Sequence, residues 1–178
     1  MAVITPYAPP APPPPGRQIR VLSLIGSIIA FVSLVLPWWS FSVLFISIGF
    51  NLINFITGVT APGETPAPAP TEAGMASVLI ILALVFIILG GILGLAGSFV
   101  SSKAPAAIGG VLIILAPIMF IAALALVSSA TGFNMIWGSV TDPYTGITYS
   151  WGISWGVYTA FIAGILTAVG SSVAVVRF

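Results

Sequence analysis

Residues 76–127 read ASVLIILALVFIILGGILGLAGSFVSSKAPAAIGGVLIILAPIMFIAALALV, and a single charge, Lys103, interrupts them. A helix needs about 20 mostly apolar residues to cross the hydrocarbon layer of a bilayer. The stretch therefore divides into two spans, Ala76–Val100 and Pro105–Val127, turning at the short link that carries Lys103. Working outward, Ile19–Pro37 and Trp155–Val176 have the same character; only Arg20, at the very start of the first, carries a charge. The whole chain agrees with this. Of its 178 residues 59% are apolar and 4% charged, whereas a soluble domain carries about 25% charged residues. The expected fold is an all-α membrane protein, a four-transmembrane-helix bundle. The first span is read as a retained signal-anchor, because a Pro-rich leader and a long apolar run do not suit a cleaved signal peptide.

The basic residues set the expected threading. Arg17 and Arg20 flank the first span, Lys103 links the second and third, and Arg177 follows the fourth. With four spans all of them fall on one side, which the positive-inside rule makes cytoplasmic. Both termini are then cytoplasmic, and Glu64, Glu72 and Asp142 lie on the opposite side. Phe41–Thr60 is apolar enough to be a fifth span, but that threading splits the basic residues two and two and needs a reversal at Pro37–Ser40 with almost no loop. The segment is left open as strand, interfacial helix or span. The five tryptophans, Trp38, Trp39, Trp137, Trp151 and Trp155, all fall at or beyond the outer interface in the four-span reading, joined by Tyr144, Tyr149 and Tyr158. An apolar ring with a polar tip favours the headgroup level.

Outside the spans, residues 1–18 form a Pro/Ala-rich cytoplasmic tail, and residues 19–178 form the membrane domain with outer loops 38–75 and 128–154. Four consecutive prolines, Pro12 to Pro15, favour polyproline II over helix or sheet. Residues 40–50, SFSVLFISIGF, are β-branched and aromatic with partial alternation, which predicts a strand. Residues 61–70 are a second Pro/Ala tract and read as a linker. Met135–Val140 and Ile147–Ile153 predict two strands around Asp142-Pro143-Tyr144-Thr145-Gly146, where Asp-Pro opens a turn and Gly closes it. The expected outer element is thus a strand plus a hairpin, extracytoplasmic and resting on the bundle.

Lipid supplies no hydrophobic drive between helices, so small residues that admit close contact mark the packing faces. Gly156, Ala160, Gly164, Ala168 and Ser172 recur every fourth residue in the last span, and Gly90, Gly94 and Ser98 do so in the second. Pro117 is expected to remove a hydrogen bond near Ile113 and kink the third span.

The layout of inside termini, a long first outer loop bearing Trp38 and Trp39 after the first span, and outer strands resembles claudin-type four-span proteins in architecture. The two cysteines of the claudin first-loop signature have no counterpart here, so no functional residue carries over.

Chemistry is sparsely provided. The chain has no Cys and no His, so the usual zinc, haem and iron–sulfur ligands are missing, and a net charge of +1 gives no field for nucleic acid. No carboxylate lies in a span, no acid pair is formed, and no base is available to activate a serine. Ion-coupled transport generally uses ionisable groups in the membrane. The expectation is therefore no enzyme, no catalytic residue, no cofactor and no metal. The reading is a non-catalytic accessory or scaffold subunit of a larger membrane complex, plausibly respiratory or energy-converting, whose partners are membrane lipids and other membrane subunits. The alternative is a self-assembling four-span protein that forms a passive pore, barrier or envelope layer.

Overall fold

The structure, a computed structural model, describes residues 18–57, 71–173 and 176–177. The expectations for the tail before residue 18 and for the Pro/Ala tract 61–70 lie outside the described residues. The protein is mostly helical with a small sheet. Its long helices are α1 (Val21–Val35), α3 (Thr71–Phe99), α4 (Ala104–Thr131) and α5 (Trp155–Val173). Three helical segments, Gly74–Phe99, Ala104–Thr131 and Trp155–Val173, are long and apolar enough to cross a membrane, and Val21–Val35 is a shorter apolar helix.

The four helices run up and down in sequence order. α1 packs between α3 and α5, α3 against α4, and α4 against α5, closing a ring whose diagonal pairs barely touch. Burial runs opposite to that of a water-soluble bundle. On α1, Ser23, Gly26, Ser27, Ala30 and Ser33 are buried, while Val21, Ile25, Ile28, Val32 and Val35 are exposed. On α5, Gly156, Ala160, Ala163, Gly164, Thr167 and Gly170 are buried, with Ile162, Ile165 and Val169 outside. Small residues inside let backbones approach. A methyl group added at Gly109 of α4 would sit 2.6 Å from the Gly90 carbonyl oxygen and the Gly94 nitrogen of α3. Buried hydroxyls other than that of Ser23 turn back on their own helices: Ser27 donates to the Ser23 carbonyl, Ser98 to Gly94 and Thr167 to Ala163. That satisfies them where no water is needed. Pro117 is buried inside α4, and the helix continues on both sides of it.

The ends of the bundle differ from the expected spans. Ile19 and Val176, read as span residues, lie instead in β1 (Gln18–Ile19) and β6 (Val176–Arg177), which pair antiparallel and tie the start of α1 to the exit of α5. At the opposite end stands a four-stranded antiparallel sheet in the order β3-β2-β5-β4, built from β2 (Trp39–Val43), β3 (Ile46–Phe50), β4 (Trp137–Thr141) and β5 (Thr148–Ile153). The single strand expected over residues 40–50 is a hairpin, so the element is two hairpins joined through β2 and β5 rather than a strand plus a hairpin. Leu44 and Phe45 alone make the β2–β3 connection, with Leu44 at φ 53°. A short helix α2 (Leu52–Thr57) follows β3 and buries Leu52, so residues 41–57 form a hairpin and a short helix, not one long helix.

Candidate functional site

Two places in the molecule concentrate side chains that do more than fill space: the end of the bundle at Arg20, and the sheet.

Arg20 immediately precedes α1, and only 2% of its surface is exposed. Its guanidinium reaches the end of α3. Nη1 donates to the carbonyls of Gly97, Val100 and Ser102 at 2.9, 2.6 and 2.9 Å, and Nη2 donates to Ser101 at 2.7 Å. The Arg20 backbone N–H adds a bond to the Ser98 carbonyl. A helix leaves its last carbonyls unpaired and carries partial negative charge there. Arg20 answers both with one planar, permanently charged group. Its Nε and the Ser23 hydroxyl are the two buried polar side-chain atoms without a partner among the described residues. The sequence reading took Arg20 only as a topological charge. Its position one residue before an apolar helix hinted at a terminal role, but nothing local pointed to α3 as the partner.

At the other end Trp38 closes the bundle. It is fully buried. Its indole N–H donates to the Ser33 carbonyl at 2.7 Å, and its ring meets Phe120 edge-on at 5.2 Å. Gly156 is bare because a Cβ there would run into the Trp38 ring. Trp39 is half-buried and donates to the Met135 carbonyl, and Trp151 donates to Asn134 and stacks on Phe133 at 4.5 Å. Trp137 and Trp155 are each 71% exposed.

Of the expected packing residues, Gly164 meets Ile114 of α4, and Gly110 of α4 has no room for a Cβ against Ala168. Gly156 and Ala160 are buried, Ala168 is half-buried and Ser172 is exposed. Gly90 faces Gly109 and Ile113 of α4, Gly94 meets Ser27 of α1 and Thr167 of α5, and Ser98 is buried.

The sheet divides its residues sharply by face, because directly paired residues of antiparallel strands share a face. One face carries Trp39, Phe41, Val43, their β3 partners Phe50, Ile48 and Ile46, and their β5 partners Ile153, Trp151 and Tyr149. The other face carries one row of serines across all four strands, Ser47–Ser42–Ser150–Ser139, beside the row Gly49–Ser40–Gly152–Trp137. The apolar face holds an open cavity of about 390 Å³ lined by Trp39, Phe41, Phe133, Val140, Tyr149 and Trp151. At the hairpin tip Phe45 is fully exposed, and Leu44, Ile46 and Ile48 are at least half exposed. A bulky residue at positive φ is uncommon, so Leu44 is held in a conformation that presents this tip. The sequence showed each strand but not its partners, and the two faces appear only once the register is known.

Among the described residues no group of three His, Cys, Asp or Glu is placed to hold a metal ion. A scan against known protein families finds no match, and neither does a search of curated proteins.

Proposed function

We propose that the chain is a four-span membrane protein that works as a non-catalytic accessory or scaffold subunit, with its sheet as the docking surface. The lipid reading is supported by the inside-out burial of α1 and α5, with hydroxyls and glycines within and Ile and Val without. α1 is short for a span, at about 22 Å for its 15 residues. It nevertheless runs from the Arg20 end to the Trp38 end and exposes an unbroken apolar stripe. Arg20, Lys103 and the backbone of Arg177 share one end of the bundle. By the positive-inside rule that end is cytoplasmic, so both termini face the cytoplasm and the sheet faces out.

One observation carries the functional reading. The sheet ends in an apolar tip, Leu44 to Ile46, with the edge strand β3 beside it, and neither has charge or proline to blunt it. Natural edge strands are normally protected against pairing, and exposed apolar patches mark contact sites. A membrane protein that offers an apolar strand outside the bilayer, to pair with the β3 edge, fits this surface. The open β3 edge also supports the second reading, self-assembly through a copy of the same edge. A photo-crosslinking residue at position 45, in protein expressed in its native membrane, separates the two. One larger membrane protein crosslinked in stoichiometric yield, and lost with Ile48→Lys, supports the accessory reading. Self-adducts alone replace it with self-assembly, and ion or solute flux from the protein reconstituted alone replaces it with a pore.

A further inference from the structure

The serine face of the sheet does not end in bare solvent. It continues down to the first turn of α5 as an open groove of about 260 Å³, floored by Ser40, Ser42, Ser150 and Gly152 and walled by Trp137 and Tyr158. We propose that this groove binds a neutral polyhydroxylated ring, a sugar or cyclic polyol, presented at the membrane surface.

Four features of the groove converge on that ligand class. The first is hydrogen-bonding capacity. Ser42 bonds to Ser47 across the β2–β3 hairpin at 3.0 Å, while the hydroxyls of Ser40 and Ser150 have no hydrogen-bond partner among the described residues. A hydroxyl is both donor and acceptor, so a row of them matches a ring of hydroxyls without demanding one orientation. The second is the aromatic walls. Trp137 and Tyr158 are mostly exposed, at 71% and 55%, and offer flat π faces of the kind that stack on the apolar C–H face of a sugar ring. Trp38, Trp39 and Trp151 each use their indole N–H inside the protein; Trp137 keeps its own free of any bond among the described residues. The third is charge. The lining contains no Lys, Arg, Asp or Glu, so a phosphate or an amine would enter without a counter-charge, at a desolvation cost. The fourth is size. Drug-sized ligands occupy roughly 300–1,000 Å³, so this smaller groove suits one ring.

The floor depends on Gly152. A Cβ there would lie 3.3 Å from the Trp137 Cα and Cβ and 3.1 Å from the Ile136 carbonyl oxygen, so a side chain would crowd the wall. Below the groove Tyr158, Ile162, Ile165 and Val169 form an exposed stripe down α5. A ring carried on a lipid therefore has a track for its chains, whereas a free glycoside would use the groove alone.

The test uses the full-length chain in phosphatidylcholine nanodiscs. Monoglucosyl diacylglycerol is the lipid probe, diacylglycerol the control without a ring, and methyl β-glucoside the soluble probe. Lipid retention is read by native mass spectrometry and glucoside binding by calorimetry. Selective retention of the glucolipid, weakened about tenfold, or about 1.4 kcal/mol, by Trp137→Ala and by Ser150→Val, supports the site. Tyr144→Ala at the far hairpin tip should leave retention unchanged. Binding of the soluble glucoside as well assigns recognition to the ring alone; binding of the glucolipid only assigns it to a lipid headgroup. Equal retention of glucolipid and diacylglycerol, absence of binding by both glucose probes, or indifference to both substitutions overturns the proposal. Circular dichroism of each variant separates loss of the site from loss of the fold. None of these outcomes bears on whether the apolar tip at Phe45 docks a partner, so the two proposals fail separately.

Discussion

The two ends of the helix bundle are held together in opposite ways. At the Arg20 end the helices meet backbone to backbone: Gly90 and Gly94 against Gly109, Gly97 against Ala106, Gly170 against Ser23. There the interior is glycine and small hydroxyl side chains, closed by one guanidinium. At the sheet end the interior is filled by large side chains, with Trp38, Phe120 and Leu52 fully buried. Phe55 adds a second edge-on contact to Phe120 at 5.4 Å. When the surrounding solvent is lipid, an apolar side chain gains little by moving from lipid to core. Close contact must then do most of the work, and the Arg20 end is where the chain supplies it, with four guanidinium bonds to the end of α3, although Arg20 Nε and the Ser23 hydroxyl have no partner among the described residues. The comparison implies that this end tolerates change less than the aromatic end does.

The largest effect should come from wedging the close contact open. Gly109→Leu drives a branched side chain into the Gly90 carbonyl and the Gly94 backbone, neither of which can rotate away. The expected loss is about 4 kcal/mol or more, read as the midpoint of unfolding in mixed detergent. Ile108→Leu on the exposed side of the same turn should change nothing measurable. If both behave alike, the α3–α4 contact is not tight.

Arg20→Ala comes next. It strands the carbonyls of Gly97, Val100, Ser101 and Ser102 together, and unpaired buried polar groups cost about 1–3 kcal/mol each, less where water can reach them. We expect about 3 kcal/mol in the same assay, with amide exchange faster over residues 97–102 than at Trp38. Arg20→Lys should recover only part of this, because a compact ammonium does not span four carbonyls as a planar fork does. Full recovery by lysine would mean that charge alone matters there.

These two predictions also mark what the sequence could and could not convey. The apolar runs, the glycine spacing and the Asp142–Gly146 turn are local signals, and each can be read from its own neighbours. The helices and the β4–β5 hairpin accordingly lie close to where periodicity and turn chemistry put them. The β2–β3 hairpin was missed because Leu44-Phe45 contains none of the residues that favour a tight turn; its reversal is set by pairing with β5 and by the return to α2. The inward turn of Trp38 was not legible because an indole just after an apolar run looks the same whether it turns inward or outward. The partners of Arg20 and the row Ser47–Ser42–Ser150–Ser139 are relations between distant segments, invisible until the register is set. Residues whose environment is built by remote chain carry no local mark.

At the aromatic end, Phe120→Ala removes the ring that meets both Trp38 and Phe55. In a soluble core such a change costs about 3–5 kcal/mol, part of it for transfer from water. Here the transfer part largely vanishes and a void remains. A cavity on the order of 100 Å³ at about 24 cal/mol per Å³ leaves about 2 kcal/mol. Measured against Gly109→Leu in one detergent, the smaller loss should fall at the sheet end. A larger loss for Phe120→Ala would reverse the comparison and make the aromatic plug the main support of the bundle.

The smallest effect lies beyond the bundle altogether, at the β4–β5 turn. Asp142 accepts the Tyr144 backbone N–H at 2.9 Å and the Thr145 hydroxyl at 2.8 Å. These bonds, the Tyr144 N–H first, hold its carboxyl below the ordinary carboxylate value. In the unfolded chain the bonds are gone and the group titrates near about 3.9. A depressed folded value means that the folded turn binds the proton less readily than the unfolded chain. The stabilisation is therefore complete above the unfolded value and is lost as pH falls through it towards the folded one. Asp142 is the only carboxylate among the described side chains, and the Asp142→Asn variant isolates its titration. Lowering the pH from 6 to 2 should move the Tyr144 and Gly146 amide resonances together below about pH 4, while the Trp38 indole resonance stays still because nothing around it titrates. Asp142→Asn keeps an oxygen for the Tyr144 N–H and removes the proton equilibrium, so the two amides should then be flat across the range. Amides that still move in that variant would place the acid sensitivity elsewhere in the chain and detach the turn from it.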